Sequence, residues 1–283
     1  SPDGKWIVFT VTIPDKEANK NRSNLWIISS EGGIPRQLTT DPGNEKAATW
    51  SPDGTTVAFT SDRTGNTQVW LINVDGTNER RFSLASTESV QPVWSPDGKS
   101  IAYVSTVFPQ FSDKPFAESD KLNKEKLDEL QNGKVKAKIF TQLLYRHWDS
   151  WVDGLRKHIL VQPVAGDEPK DITPGDRDAV PTSATFSAGI DFAFSPDGNE
   201  IAYTATPVPT REEAWSTNHD IYTVPVSGGT PKQMTTNPAA DGYPRYSSDG
   251  KYITYRAQSV SGFEADRWQL MLYDRATGTT RSL

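Results

Sequence analysis

Trp50-Ser51-Pro52-Asp53-Gly54-Thr55-Thr56-Val57-Ala58-Phe59 decides the fold. An aromatic residue closes one strand-like run, Ser-Pro-Asp-Gly turns the chain, and Val57 and Phe59 open the next run. Pro fixes φ at the second position of a type I turn, Asp tolerates the third, and Gly supplies the positive φ that follows. Residues two apart share one face of a strand, so Val57 and Phe59 point to the same side. The stretch reads as two antiparallel strands joined by a tight turn.

The pattern recurs. Ser-Pro-Asp-Gly starts at positions 1, 51, 95 and 195, and Ser247-Ser248-Asp249-Gly250 is a fifth copy, so the intervals are 50, 44, 100 and 52 residues. Ile7, Val57, Ile101, Ile201 and Ile253 follow the turn at one position, and Phe9, Phe59, Tyr103, Tyr203 and Tyr255 at the next but one. Trp50, Trp94, Phe194 and Tyr246 precede it. A third strand is expected in every unit: Leu25–Ser29, Val69–Asn73, His158–Val164, Ile221–Val226 and Gln269–Asp274. After a Gly-containing turn comes a short fourth: Arg36–Thr39, Arg80–Ser83, Lys170–Thr173, Lys232–Thr235 and Thr280–Leu283. Four antiparallel strands in a repeat of about 45 residues define a propeller blade.

The predicted fold is therefore all-β, a β-propeller segment with units 1–50, 51–94, 95–194, 195–246 and 247–283, the first without its leading strand. A β-sandwich with coincidental turns is the competing architecture, and five copies matching at four places speak against it. A slice of a ring of about seven or eight blades is expected over a closed five-bladed one.

Composition narrows the function. The 283 residues carry 30 Lys+Arg against 36 Asp+Glu, a net charge of −6, so the chain lacks the basic balance of a nucleic-acid binder. Cysteine is absent, which removes disulfides and thiolate chemistry. No apolar run approaches the roughly 18 residues of a membrane span. The chain opens on Ser1 with no readable leader. Absent cysteine suits a periplasmic or secreted protein and equally a cytoplasmic one.

The 100-residue interval is one blade plus an insertion over about 106–155. Ser119 or Asp120 is expected to cap a helix over Lys121–Gln131, with Leu122, Leu127 and Leu130 on its apolar face and Asn132-Gly133 ending it. Beyond it, Leu143–Gly154 packs Tyr145, Trp148 and Trp151 with Arg146, His147, Asp149 and Asp153. That density suits a pocket wall. Equally, the aromatics could cap the propeller while the charges pair with one another.

The blades resemble the N-terminal propellers of the prolyl oligopeptidase family of serine peptidases. The likeness sharpens at Tyr145–Asp149, at Thr173-Pro174-Gly175-Asp176-Arg177-Asp178 and at Arg211–Asn218, where it is similar to the dipeptidyl-peptidase V and acylaminoacyl-peptidase branch. The resemblance implies a C-terminal α/β-hydrolase domain of the same protein as partner, with a Ser–Asp–His triad. The nucleophile elbow Gly-x-Ser-x-Gly is absent from this chain, and Gly98-Lys99-Ser100 sits on a hairpin turn, so no catalytic residue is expected here. The implied role is to gate access to the cleft and to bind peptide substrate. The resemblance also tips the compartment towards a periplasm.

Dipeptidyl peptidases of this family hold the substrate's free α-amino group with propeller carboxylates, which Glu212 and Glu213 would supply by charge-assisted hydrogen bonds. Adjacent glutamates after Pro209-Thr210 equally suit the first turn of a short helix. Arg146, His147 and Trp148 form a second candidate group of pocket-lining or interdomain residues. Asp176 and Asp178 fall short of a calcium loop and are expected in a turn, so no metal or organic cofactor is predicted. The alternative function is a non-enzymatic TolB-like module that binds a protein partner. Homo-oligomerisation stays open.

Overall fold

Every Ser-x-Asp-Gly turn is built alike in the computed structural model, which describes residues 1–283 except 142, 144, 148, 149 and 184. Ser51 Oγ donates to Asp53 Oδ1 at 2.6 Å and accepts from the Thr56 N–H at 3.0 Å, while the Gly54 N–H donates to the Ser51 carbonyl at 2.9 Å. The five turn glycines lie between φ +70° and +73°. That left-handed region costs other residues roughly 1–2 kcal/mol. Proline is dispensable, because Ser247 and Asp249 make the same bonds around Ser248. These bonds hold the turn carboxylates low: the Ser195 hydroxyl, then the Asn199 backbone N–H, bring Asp197 down to about 2.

The strands follow from these turns. The first sheet has three, Trp6–Asp15, Lys20–Ser29 and Arg36–Gln37. The second runs Glu45–Trp50, Thr56–Ser61, Gln68–Asn73 and Arg80–Arg81, and the third Ser89–Trp94, Ser100–Val107, Arg156–Pro163 and Lys170–Asp171. The fourth takes Phe192–Phe194, Glu200–Ala205, Asp220–Pro225 and Lys232–Gln233, and the fifth Asp241–Tyr246, Tyr252–Ala257, Gln269–Asp274 and Thr280–Ser282. Each is an antiparallel meander, as a blade requires.

The chain divides into two compact units, residues 1–105 with 161–169 and residues 106–160 with 170–283. In the first, Leu25, Ile27, Leu38, Val57, Phe59 and Ile72 form a buried cluster. In the second, Ala202, Ile221, Ile253, Tyr255, Ala257 and Tyr273 do the same. The repeat positions Val57, Phe59, Ile253 and Tyr255 thus fill these cores, and Ile101, Tyr103, Ile201 and Tyr203 are buried as well, whereas Ile7 in the first blade is exposed.

Fourth strands are shorter than the sequence suggests, because a side chain ends the ladder. Thr39 Oγ1 accepts from the Leu25 N–H at 2.9 Å, while Leu38 and Thr39 both donate to the Leu25 carbonyl. Ser83, Thr173 and Thr235 play the same part for Val69, Ile159 and Ile221. First strands carry a shared bulge at left-handed residues Ala47, Gln91 and Tyr243, at φ +51°, +56° and +59°.

The insertion helix spans Phe116–Asn132, five residues earlier than expected at its start. Pro115, not Ser119 or Asp120, is its N-cap, and its carbonyl accepts from the Ser119 N–H at 3.0 Å. The buried face is polar. Asn123 Oδ1 accepts from the Phe108 N–H at 2.8 Å, and Ser119 is buried beside it, while Leu122 and Leu127 are half-buried and Leu130 is exposed. A hydrogen bond to a buried N–H, rather than an apolar stripe, orients this helix.

Candidate functional site: a carboxylate-walled cavity

The site lies in the second unit. Strand Arg156–Pro163 starts with a buried arginine whose Nε donates to Asp176 Oδ1 at 2.8 Å and whose NH1 donates to Asp178 Oδ2 at 3.2 Å. The Lys157 N–H adds a 2.7 Å bond to Asp178 Oδ1. Asp176 and Asp178 are therefore taken up by Arg156, on the loop where a turn was expected. Burial nevertheless raises the Asp178 carboxyl, with the Arg156 charge opposing.

Glu213 comes to this cluster from another blade. After strand Glu200–Ala205 the chain forms a 3₁₀ turn over Thr210–Trp215, with Pro209 before it and Glu212 and Glu213 in its first turn. The Glu212 N–H donates to the Pro209 carbonyl at 2.7 Å, and Thr210 Oγ1 ties the turn to the Asp176 carbonyl at 3.0 Å. Successive residues of a 3₁₀ turn point about 120° apart. Glu213 accordingly turns inward while Glu212 is exposed. Burial pushes the Glu213 carboxyl up to about 7; Arg156 opposes, and the charges of Asp178 and Asp176 reinforce it. Its Oε1 is buried without a hydrogen-bond partner.

A cavity of about 370 Å³ opens in front of it, lined by Asp178, Glu213, Val180, Phe186, Trp215 and His219 among others. The His219 ring lies 4.8 Å from the Phe186 ring, and burial lowers its pKa, so it presents a neutral face at pH 7. The lining is mixed: Asp178, Glu213 and Glu264 are acidic, several Ser and Thr residues are polar, and Val180, Phe186 and Trp215 give it an apolar part. Such a space suits a small cation carried on an apolar or peptide body.

The other candidates lie elsewhere. Glu212 does not line this cavity, nor does Arg146, and the side chain of His147 lies outside what the structure describes. Arg146 is exposed on the two-residue strand Arg146–His147, paired with Ser150–Trp151, and Trp148 lies outside the described residues. Around that hairpin, Phe140, Tyr145 and Trp151 stack on one another with centroids 5.0 to 6.3 Å apart, and Lys138 pairs with Asp153. Arg156 and His219 were not singled out from the sequence. Nothing local to Arg156 announces a partner 20 or 22 residues further on.

Residues 1–135 match the family described as the TolB beta propeller domain, PD40. Over 282 residues the chain is 34% identical to dipeptidyl-peptidase 5 of Porphyromonas gingivalis, a match covering 98% of this chain and 39% of that protein. The chain thus spans well under half the length of this relative. Among solved structures, acylaminoacyl peptidase of Pyrococcus horikoshii is similar with TM-score 0.64 and 15% identity, over 99% of this chain and 37% of that one. TolB from Acinetobacter baumannii has TM-score 0.54 and 16% identity, over 99% and 52%. Fold and repeat make the chain a β-propeller segment, with the TolB-type match over residues 1–135. Within that class its likeness runs in sequence to dipeptidyl-peptidase 5 and, at 15% identity, in fold alone to acylaminoacyl peptidase.

Proposed function

We propose that this propeller screens and binds substrate for a serine exopeptidase that removes short units from peptide N-termini. Glu213 receives the free α-ammonium group of the peptide, and Asp178, held by Arg156, stands behind it. The α/β-hydrolase domain of the same protein supplies the triad. The observation that carries this reading is the buried, unpartnered Oε1 of Glu213, a residue that lines a cavity of peptide-fragment size. An unsatisfied buried carboxylate oxygen is costly, and an ammonium group offers it both a donor and a charge. The arriving cation favours the ionised carboxylate, so ammonium binding and proton release from Glu213 go together.

The test compares Glu213→Gln with wild type in the complete protein, on dipeptidyl chromogenic substrates with free and N-acylated amines. KM for the free amine should rise about tenfold or more, with kcat changed little and the acylated substrate unaffected. Equal effects on both substrates would remove Glu213 as the amine ligand. A protein-binding module is the second reading, supported by the likeness to TolB. A complete protein without peptidase activity would favour it.

A further inference from the structure

Asp178 also borders a second recess, of about 300 Å³, lined by Asp176, Arg177, Tyr203 and Pro231 among others. Asp176 and Asp178 turn to Arg156, and Arg177 between them does not share that partner. Its guanidinium lies over the Tyr222 ring, 5.4 Å from the centroid. Tyr203 stacks on Tyr222 at 5.7 Å and lines the recess.

The other arginines of this unit that are not exposed have acceptors. Arg156 holds Asp176 and Asp178, Arg275 holds Glu200, Arg245 bonds the Ile190 carbonyl at 3.0 Å and Arg256 the Phe186 carbonyl. Among the described residues no carboxylate stands within ion-pair distance of Arg177. A guanidinium has five donors in a rigid fork that matches a carboxylate bidentately. Here it is half-buried, lies over the Tyr222 ring and shares the recess with Tyr203. Burial raises both phenols, with Arg177 opposing, so each keeps its proton. Arg156 hydrogen-bonds both acids that border the recess, and neither makes an ion pair with Arg177, so its fork has no carboxylate partner among the described residues.

We propose that Arg177, with Tyr203 and Tyr222, forms a carboxylate-binding recess beside the Glu213 cavity, for an acidic side chain or a chain-terminal carboxylate of a peptide. That the ligand is a peptide rests on the reading of the Glu213 cavity; the carboxylate chemistry does not.

Isothermal titration calorimetry on the protein tests this with four probes: Ala-Ala, Ala-Ala-amide, Glu-Ala-amide and N-acetyl-Ala-Ala. Tighter binding of Ala-Ala than of its amide, by about tenfold, assigns the recess to a terminal carboxylate. The same advantage for Glu-Ala-amide over Ala-Ala-amide assigns it to a side chain. Either advantage should vanish in Arg177→Gln while Ala-Ala-amide binds as before. It should shrink in Arg177→Lys, which keeps the charge and loses the fork. Equal binding of acid and amide probes, no binding of any acid probe at millimolar concentration, or an Arg177→Gln effect shared by all probes would overturn the proposal. The acetylated probe separates the two claims, since its parity with Ala-Ala counts against Glu213 alone.

Discussion

Asp241→Asn should make the stability of this protein markedly less sensitive to alkaline pH. Asp241 opens the first strand of the fifth blade and is 1% exposed. Its Oδ1 accepts from Asn237 Nδ2 at 2.9 Å, and its Oδ2 is buried without a partner. Asp220, which accepts from Gln233 Nε2 at 2.8 Å and Thr235 Oγ1 at 3.1 Å, adds a like charge nearby. Burial raises Asp241 to about 7 and Asp220 to about 6.

Both acids bind their protons more tightly folded than unfolded. Their contribution is therefore complete below the ordinary carboxyl range near pH 4 and is lost as pH rises through about 6 to 7. For Asp241 the change is some three decades of proton affinity, or about 4 kcal/mol as an upper figure at about 1.4 kcal/mol each. Asparagine keeps the Oδ1 acceptor and puts an uncharged amide where Oδ2 has no partner. The first unit uses that chemistry, since Asn24 Nδ2 donates to Glu45 Oε2 at 2.7 Å where strands of successive blades meet. Urea denaturation at pH 5 and pH 9 is the assay. Wild type should lose a few kcal/mol more than Asp241→Asn between these values. Parallel losses in the two proteins would refute the reasoning.

Two further substitutions follow from the geometry. Ala47→Gly relieves a left-handed alanine at φ +51° on an exposed bulge and should raise stability by about 0.5–1 kcal/mol in the same urea assay. Arg156→Met strands the buried Asp178 carboxylate and should cost about 3–5 kcal/mol at neutral pH. Acidification should shrink that cost, as Asp178 takes up a proton.

The five-fold repeat was legible because its signals are local. A glycine at positive φ and an alternating aromatic are visible in ten residues, and all five turns close as Ser51–Thr56 does. The bulge was not legible, since Ala47, Gln91 and Tyr243 share no chemistry and only the backbone repeats. The helix start was not legible because Ser119 and Asp120 both carry capping side chains, whereas Pro115 fixes the entry and Ser119 is buried. At the site, adjacency suggested that Glu212 and Glu213 act together, but a 3₁₀ turn separates their directions. The charges that act on the Glu213 carboxyl, Arg156 and Asp178, are distant in sequence and belong to another blade.

The most direct test of the central claim is peptidase activity of the full-length protein carrying this chain, beside the chain alone, on free and N-acylated dipeptidyl substrates. The account predicts hydrolysis by the full-length protein that needs the free amine, and none by the chain alone. An inactive full-length protein, or one that cleaves acylated and free substrates equally well, would contradict it.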